Sequence, residues 1–293
     1  MPAYVRFWGT RGSIPTPGHQ TRRYGGNTSC VELRMDGALL VCDGGTGLRE
    51  LGLDLRRRMP EGVEAHLFFS HMHWDHIQGF PFFVPAYSPE SRLHVYETVP
   101  GDNRVQRLLH GQMKSEYFPV SFSELGATID ARHFSQDELW VQGVRVRCFE
   151  QPHPGRSFAF SFEHDGKKIV YATDSELDSC VCDPVLRERE PEALRRLPPD
   201  LVGFIEGADL LIADGQYTDT EYPAKRGWGH ASAATAVDLA VQAGVRQCAI
   251  FHHDPMHSDE VVEEKIQACR ARAAAHGSEL IVFGAREGVE LKL

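Results

Sequence analysis

The sequence predicts an α/β domain built in layers, with sheets inside and helices outside. Two observations predict it. Strand-like apolar runs come first, and the chain then passes into strand–helix–strand order with long helices. Six of those strands also lead into a residue type that binds metals or moves protons, and sites in α/β proteins gather at strand carboxyl ends.

Expected strands cover residues 4–8, 31–35, 38–42, 65–70, 93–96, 144–149, 158–162, 168–173, 210–213, 248–251 and 280–283, where β-branched and aromatic residues concentrate. Expected helices cover 47–59, 102–114, 231–243 and 258–276. The last two have a Ser or Asp near the entry and alanine-rich, periodically apolar bodies. Arg56, Arg57 and Arg58 close the first helix, where cations suit the helix dipole, and read as a solvated end. Residues 178–207 are rich in Pro, Arg and Glu and read as a surface insertion with a short helix around 190–196. No solenoid repeat or low-complexity tract is visible, so residues 1–293 read as one domain carrying that insertion.

A hydrophobic content of 42% and a charged content of 25% are ordinary for a globular chain with a large core. The net charge of −10 gives no global basic field to draw the protein to nucleic acid or anionic membrane. No apolar run approaches a membrane span, and no signal peptide is visible at the amino terminus. Seven scattered cysteines point to reduced thiols and a cytoplasmic location, with Cys180 and Cys182 read as two loop thiols.

The densest signal lies between His71 and His76. Four potential metal ligands, His71, His73, Asp75 and His76, fall within six residues directly after a buried-strand run. His71 and His73 are two apart, so extended backbone points both the same way. Elsewhere Asp43, His153, Asp174, Asp214 and His252 each follow an apolar strand. A lone histidine is ordinarily a core or surface residue, but that reading does not account for a spaced set. Two metals fed from one loop suit hydrolysis of phosphoric or carboxylic esters.

The His71-x-His73-x-Asp75-His76 run resembles the signature of the metallo-β-lactamase superfamily. The stretches 7–15 and 25–29 resemble the amino-terminal motif of its phosphodiesterase branch. Asp43-Gly44-Gly45 resembles its acidic glycine turn, His153-Pro154-Gly155 its third-histidine motif, and 171–174 its bridging-aspartate strand. Gly229-His230-Ala231-Ser232 and Phe251-His252-His253 are similar to motifs of the transfer-RNA 3′-processing endonucleases. The resemblance covers the chain almost end to end. It implies a four-layer αβ/βα sandwich with two divalent metal ions at one edge, zinc by default and manganese or iron by ligand chemistry. It gives His71, His73 and His153 to one metal, Asp75, His76 and His252 to the other, and Asp174 to both, with a bridging hydroxide as nucleophile. His230 would protonate the leaving group, oriented by Asp214, and Asp75 joins them in the catalytic set. The branch usually pairs this histidine with a glutamate, so the shorter Asp214 is a departure. Asp43 reads as a support for the ligands. His133 competes with His153 but lacks its strand and Pro-Gly turn, and His252 is preferred to His253 as the first residue after its strand. His253 and His257 are either supporting or surface groups.

The favoured substrate is a small or cyclic anionic phosphodiester. The alternatives are transfer-RNA 3′-end processing and a non-phosphate ester or lactone. Nucleic acid is disfavoured by the acidic net charge and by the lack of the long glycine-rich arm of the transfer-RNA endonucleases. Arg11, Arg22, Arg23, Asn27 and Arg156 are candidate phosphate contacts, though each taken singly reads better as an ordinary surface group. The aromatic stretch 80–87 either walls the pocket or stacks a base, or else packs in the core or forms the face of a homodimer. Two other classes are weaker. An inactive metal-binding protein would have lost a ligand, and all positions are filled. A diiron redox relative would usually carry glutamate where His73 stands and a flavin domain.

Overall fold

The computed structural model describes residues 3–98, 104–134 and 138–293, and its strands form two seven-stranded mixed sheets flanked by helices. The first sheet holds β1 (Tyr4–Gly9), β2 (Cys30–Met35), β3 (Ala38–Cys42), β4 (Glu64–Phe68), β5 (Arg92–Glu97), β6 (Thr128–His133) and β14 (Glu290–Lys292) in the order β14-β1-β2-β3-β4-β5-β6. The second holds β7 (Glu138–Val141), β8 (Val144–Gln151), β9 (Ser157–His164), β10 (Lys167–Ala172), β11 (Leu210–Asp214), β12 (Gln247–Phe251) and β13 (Ile281–Gly284) in the order β13-β12-β11-β10-β9-β8-β7. The helices are α1 (Gly47–Arg58), α2 (Trp74–Ile77), α3 (Arg104–Gln112), α4 (Pro184–Arg189), α5 (Pro199–Ile205), α6 (Ala233–Gln242) and α7 (Asp259–Ala275).

One apolar cluster, including Phe7, Leu40, Phe68, Phe160, Tyr171 and Phe251, fills the space between the sheets. A second packs α5, α6 and α7 onto one sheet, and a third packs α1 and α3 onto the other. Helix, sheet, sheet, helix is the four-layer sandwich that the family resemblance implies. α1 buries Leu48, Leu51 and Leu55, and α7 buries Val262, Ile266, Cys269 and Ala273, a single stripe in each case. Ser258 caps α7 by accepting from Val261 N. β3 and β11 are buried along their whole length, which explains why they read as continuous apolar runs.

Each sheet has a parallel half, β3-β4-β5-β6 in one and β10-β11-β12-β13 in the other. Parallel neighbours place their carboxyl ends on one edge, so the residues after β3, β4, β10, β11 and β12 converge there.

Several local expectations need correction. The short helix expected around 190–196 is absent, and α4 and α5 lie on either side of it. Asp183 caps α4 ahead of Pro184, while Pro198 and Pro199 open α5, so prolines set both helix starts. Part of the 178–207 stretch is not surface: Asp178, Arg195 and Leu197 are buried. Arg195 donates to Asp219, Ser232 and Thr235. The start expected for α3 at Asp102 lies outside the described residues. Phe80 and Phe83 pack in the core beside α1, whereas Phe82 is exposed. Arg58 is not merely solvated, since its guanidinium meets Glu32 and Asp54. Among the described residues the seven cysteines form no disulfide, and no helix is long and apolar enough to cross a membrane.

Candidate metal centre

The edge where the strands end gathers every residue singled out from the sequence as a metal ligand. His71, His73, His153 and Asp174 each offer a ligand-type atom, and these atoms all lie within 4.8 Å of one another. Asp75, His76, Asp174 and His252 form a second such group, so Asp174 belongs to both. Its Oδ2 faces the first group, 3.5 Å from His71 Nε2 and 4.0 Å from His153 Nε2. Its Oδ1 faces the second, 3.2 Å from both His76 Nε2 and His252 Nε2. Asp75 Oδ2 lies 3.3 Å from His76 Nε2 and 3.2 Å from His252 Nε2. A tetrahedron with arms of about 2.0 Å has edges of about 3.3 Å, so the second group matches the donor spacing of a zinc-sized ion.

The chain fixes these atoms through their other ends. His76 Nδ1 donates to Asp43 Oδ2 at 2.7 Å, His153 Nδ1 to the Gly229 carbonyl at 2.8 Å, and His252 Nδ1 to Gln216 Oε1 at 2.9 Å. His71 Nδ1 meets Ser70 Oγ at 3.1 Å, and Ser70 Oγ donates on to Asp43 at 2.8 Å. In each case Nε2 is left to face the cluster, as metal-binding imidazoles require. Asp43 also accepts from Ser70 N and the Tyr171 hydroxyl, both at 2.7 Å. Ser13 N donates to Asp75 Oδ2 at 2.7 Å. Asp43, Asp174 and His252 all have positive φ (59°, 52° and 58°), a conformation non-glycine residues seldom adopt. This left-handed residue just past a strand turns the side chain across the sheet edge, and such strain concentrates at functional sites. Gly12 has a different constraint: a Cβ there would sit 2.4 Å from the His252 ring.

The charge balance also fits cations. Burial pushes the pKa of His71, His73 and His153 down, which keeps them neutral and able to ligate. Burial pushes Asp75 and Asp174 up, yet the neighbouring histidines hold both well below the usual carboxylate range. His76 is raised well above its ordinary value: burial opposes, but Asp174, Asp75 and Asp43 prevail. The buried Nε2 atoms of His71 and His76 have no hydrogen-bond partner. Buried carboxylates around orphaned imidazole nitrogens are a donor set that divalent ions satisfy.

His230 stands beside the cluster, its ring stacked on His252 with centroids 4.8 Å apart. Its Nδ1 donates to Asp214 Oδ2 at 2.8 Å, so the shorter acid does reach. Burial lowers the His230 pKa, but Asp214 and Asp174 raise it to about 9. Asp214 also accepts from the Ser175 and Gln216 amides, and buried Lys265 Nζ holds the Gly215 and Gln216 carbonyls at 2.6 and 2.9 Å.

The neighbouring candidates separate cleanly. His253 is buried with Nε2 on the Ala285 carbonyl, and His133 is exposed on β6. His257 is buried and paired with Glu221. Arg11 is fully buried and donates to the carbonyls of Gly25, Asp254 and His257, so it ties loops together. Arg23 bonds Asp259 and Glu263, Asn27 bonds Glu287, Arg156 is clamped to Glu150, and Arg22 is exposed. Three participants went unread in the sequence: Gln216, Ser70 and Tyr171. Only Ser70 and Gln216 carried a signal, their place at strand ends beside a ligand.

The sequence model of the beta-lactamase superfamily domain matches residues 40–253. Ribonuclease Z of Haloarcula marismortui is 25% identical, the match covering 100% of this chain and 97% of that protein. Ribonuclease Z of Natronomonas pharaonis is 28% identical over 86% of this chain and 87% of its own length. Among solved structures, the metallo-beta-lactamase fold protein YhfI from Bacillus subtilis has a TM-score of 0.71 at 17% identity, covering 100% of this chain and 99% of the other. Human tRNase Z, short form, has a TM-score of 0.63 at 18% identity, covering 98% of each chain. A diphosphatase of the PhnP family has a TM-score of 0.67 at 16% identity, covering 99% and 98%. At such identities the structural likeness establishes the fold.

Proposed function

Because the chain belongs to the beta-lactamase superfamily and is a metal-dependent hydrolase, we propose that it cleaves a phosphodiester bond in RNA. The observation that carries this reading is the His230–Asp214 pair at 2.8 Å, set against His252 and Asp174. Full-length likeness to proteins named Ribonuclease Z favours RNA over the small phosphodiester that the net charge suggests. Net charge describes the whole surface, whereas a substrate meets the local field of the site.

His71, His73 and His153 would hold one ion, and Asp75, His76 and His252 the other, with Asp174 shared between them. Zinc suits this nitrogen and carboxylate set, and manganese or iron would be accepted. When bound, two divalent ions lower the pKa of a water and neutralise charge building on the phosphate. The chain supplies the rest. Asp43 and Gln216 lock imidazole orientation, Asp214 holds His230 protonated, and His230 Nε2 gives that proton to the departing oxygen.

A small or cyclic phosphodiester is the second reading. It is favoured by the 178–207 stretch, where Arg195 packs against Asp219 and Ser232 instead of projecting as an arm. A panel of precursor transfer RNA, cyclic nucleotides, bis-p-nitrophenyl phosphate and a β-lactam, with zinc and manganese added back, separates the readings. RNA cleavage is expected. Intact phosphodiesters alongside turnover of the β-lactam would overturn phosphodiester chemistry altogether.

A further inference from the structure

The metal centre is buried on most sides and opens at His73, the one exposed member of the set. Two of the chain's four tryptophans sit beside that opening with their side chains in water. Trp74 directly follows His73, starts α2, and is 65% exposed. Trp228 directly precedes Gly229, whose carbonyl fixes His153, and is 60% exposed. His73 Nδ1 and His153 Nε2 are 3.1 Å apart, so the two tryptophans adjoin, along the chain, residues that belong to one half of the site. By contrast Trp8 is buried, and Trp140 lies on the edge strand β7.

Neither indole hangs on a slack segment. Trp74 is on the short helix that carries Asp75 and His76. Trp228 is pinned from both sides by one carboxylate: Glu176 accepts from Gly227 N at 2.7 Å and from Gly229 N at 3.1 Å. A Cβ on Gly229 would meet His153 Nδ1 at 2.3 Å, so the loop approaches the site as closely as backbone allows. Lys225 Nζ lies 4.2 Å from the Trp228 ring centroid, which sets an ammonium beside the indole. A large apolar ring held in water, on rigid backbone, at the mouth of a phosphodiester site has a ready ligand chemistry. Nucleobases stack on such rings whatever their sequence, and a cation beside the ring meets the flanking phosphate.

We propose that Trp74 and Trp228 form a stacking platform for unpaired nucleobases next to the scissile phosphodiester, with Lys225 contacting the adjoining phosphate. This rests on the RNA reading for the identity of the ligand. It goes further by placing the grip on single-stranded RNA at the rim of the metal centre.

The test measures anisotropy of a labelled phosphorothioate oligouridylate, and of an abasic oligomer of equal charge, on the zinc-loaded protein. Trp74→Ala and Trp228→Ala are each expected to weaken oligouridylate binding roughly 5- to 100-fold, the range of one lost stack. Abasic binding should be weak and equal in all proteins, and Trp74→Phe and Trp228→Phe should restore most of the loss. Alanine variants that bind like the wild type, or that lose abasic and base-bearing binding equally, would overturn the platform. So would a wild-type protein that does not distinguish the two oligomers. If the wild type binds through the indoles yet cleaves no RNA, the platform stands and the RNA-hydrolase reading falls.

Discussion

Asp174 joins the two halves of the site, because one carboxylate oxygen faces each group. Asp174→Ala is therefore expected to abolish both metal loading, read by elemental analysis, and turnover. His230 should behave differently. His230→Ala is expected to keep both metals and slow kcat roughly 10²- to 10⁴-fold, the scale of a lost general acid. Loss of metal in that variant would make His230 a ligand, a role its place in a third ligand-type group with Asp174, Asp214 and His252 leaves open to test. With its pKa raised to about 9, His230 is protonated at neutral pH, so activity should fall as pH rises and the alanine variant should lack that limb. Asp43→Ala removes the acceptor shared by His76, Ser70 and Tyr171 and should weaken metal binding about 10- to 100-fold.

At the scale of elements, the site exists because parallel strands finish on one edge and the next residues turn inward. The apolar runs ending at Asp43, His71, Asp174, Asp214 and His252 made this legible in the sequence, since strands buried on both faces leave unbroken apolar signals. Of the four sheet edges, β13 was legible and the other three were not. β6 is mostly polar and mostly exposed, β7 has four residues and β14 three, so none presents the run or alternation that marks a buried strand. The support from Tyr171 was hidden for another reason: its partner Asp43 lies 128 residues away, and only folding pairs them. The amino-terminal Gly-Thr-Arg-Gly motif shows the same limit. It resembles a phosphodiesterase motif and offers Arg11 as a phosphate contact, yet Arg11 is a buried tie and Gly12 makes room for the His252 ring. Gly12→Ala should thus displace His252, lowering affinity for one metal equivalent in a titration while circular dichroism shows the fold intact.

For the whole molecule, acid should act at a second place, within β4 and β5 and not at the ligand-bearing strand ends. His66 and His94 stack between β4 and β5, with His66 Nδ1 on the Tyr96 hydroxyl. Burial, aided by His94, lowers the His66 pKa to about 4. The unfolded chain takes a proton there near pH 6.5 while the folded protein refuses it, so stability falls as pH drops through that window. The loss is at most about 3 kcal/mol. His66→Phe should flatten the acid limb of denaturant midpoints measured in chelator. Chelation itself should lower Tm, because buried Asp75 and Asp174 lose the cations that balance them. The most direct measurement remains the reaction. Zinc-loaded protein is incubated with precursor transfer RNA beside the Asp174→Ala variant, and product ends are mapped. A discrete cut by the wild type that vanishes in the variant is expected. RNA left intact by protein shown to carry two metal ions would contradict the RNA hydrolase assignment.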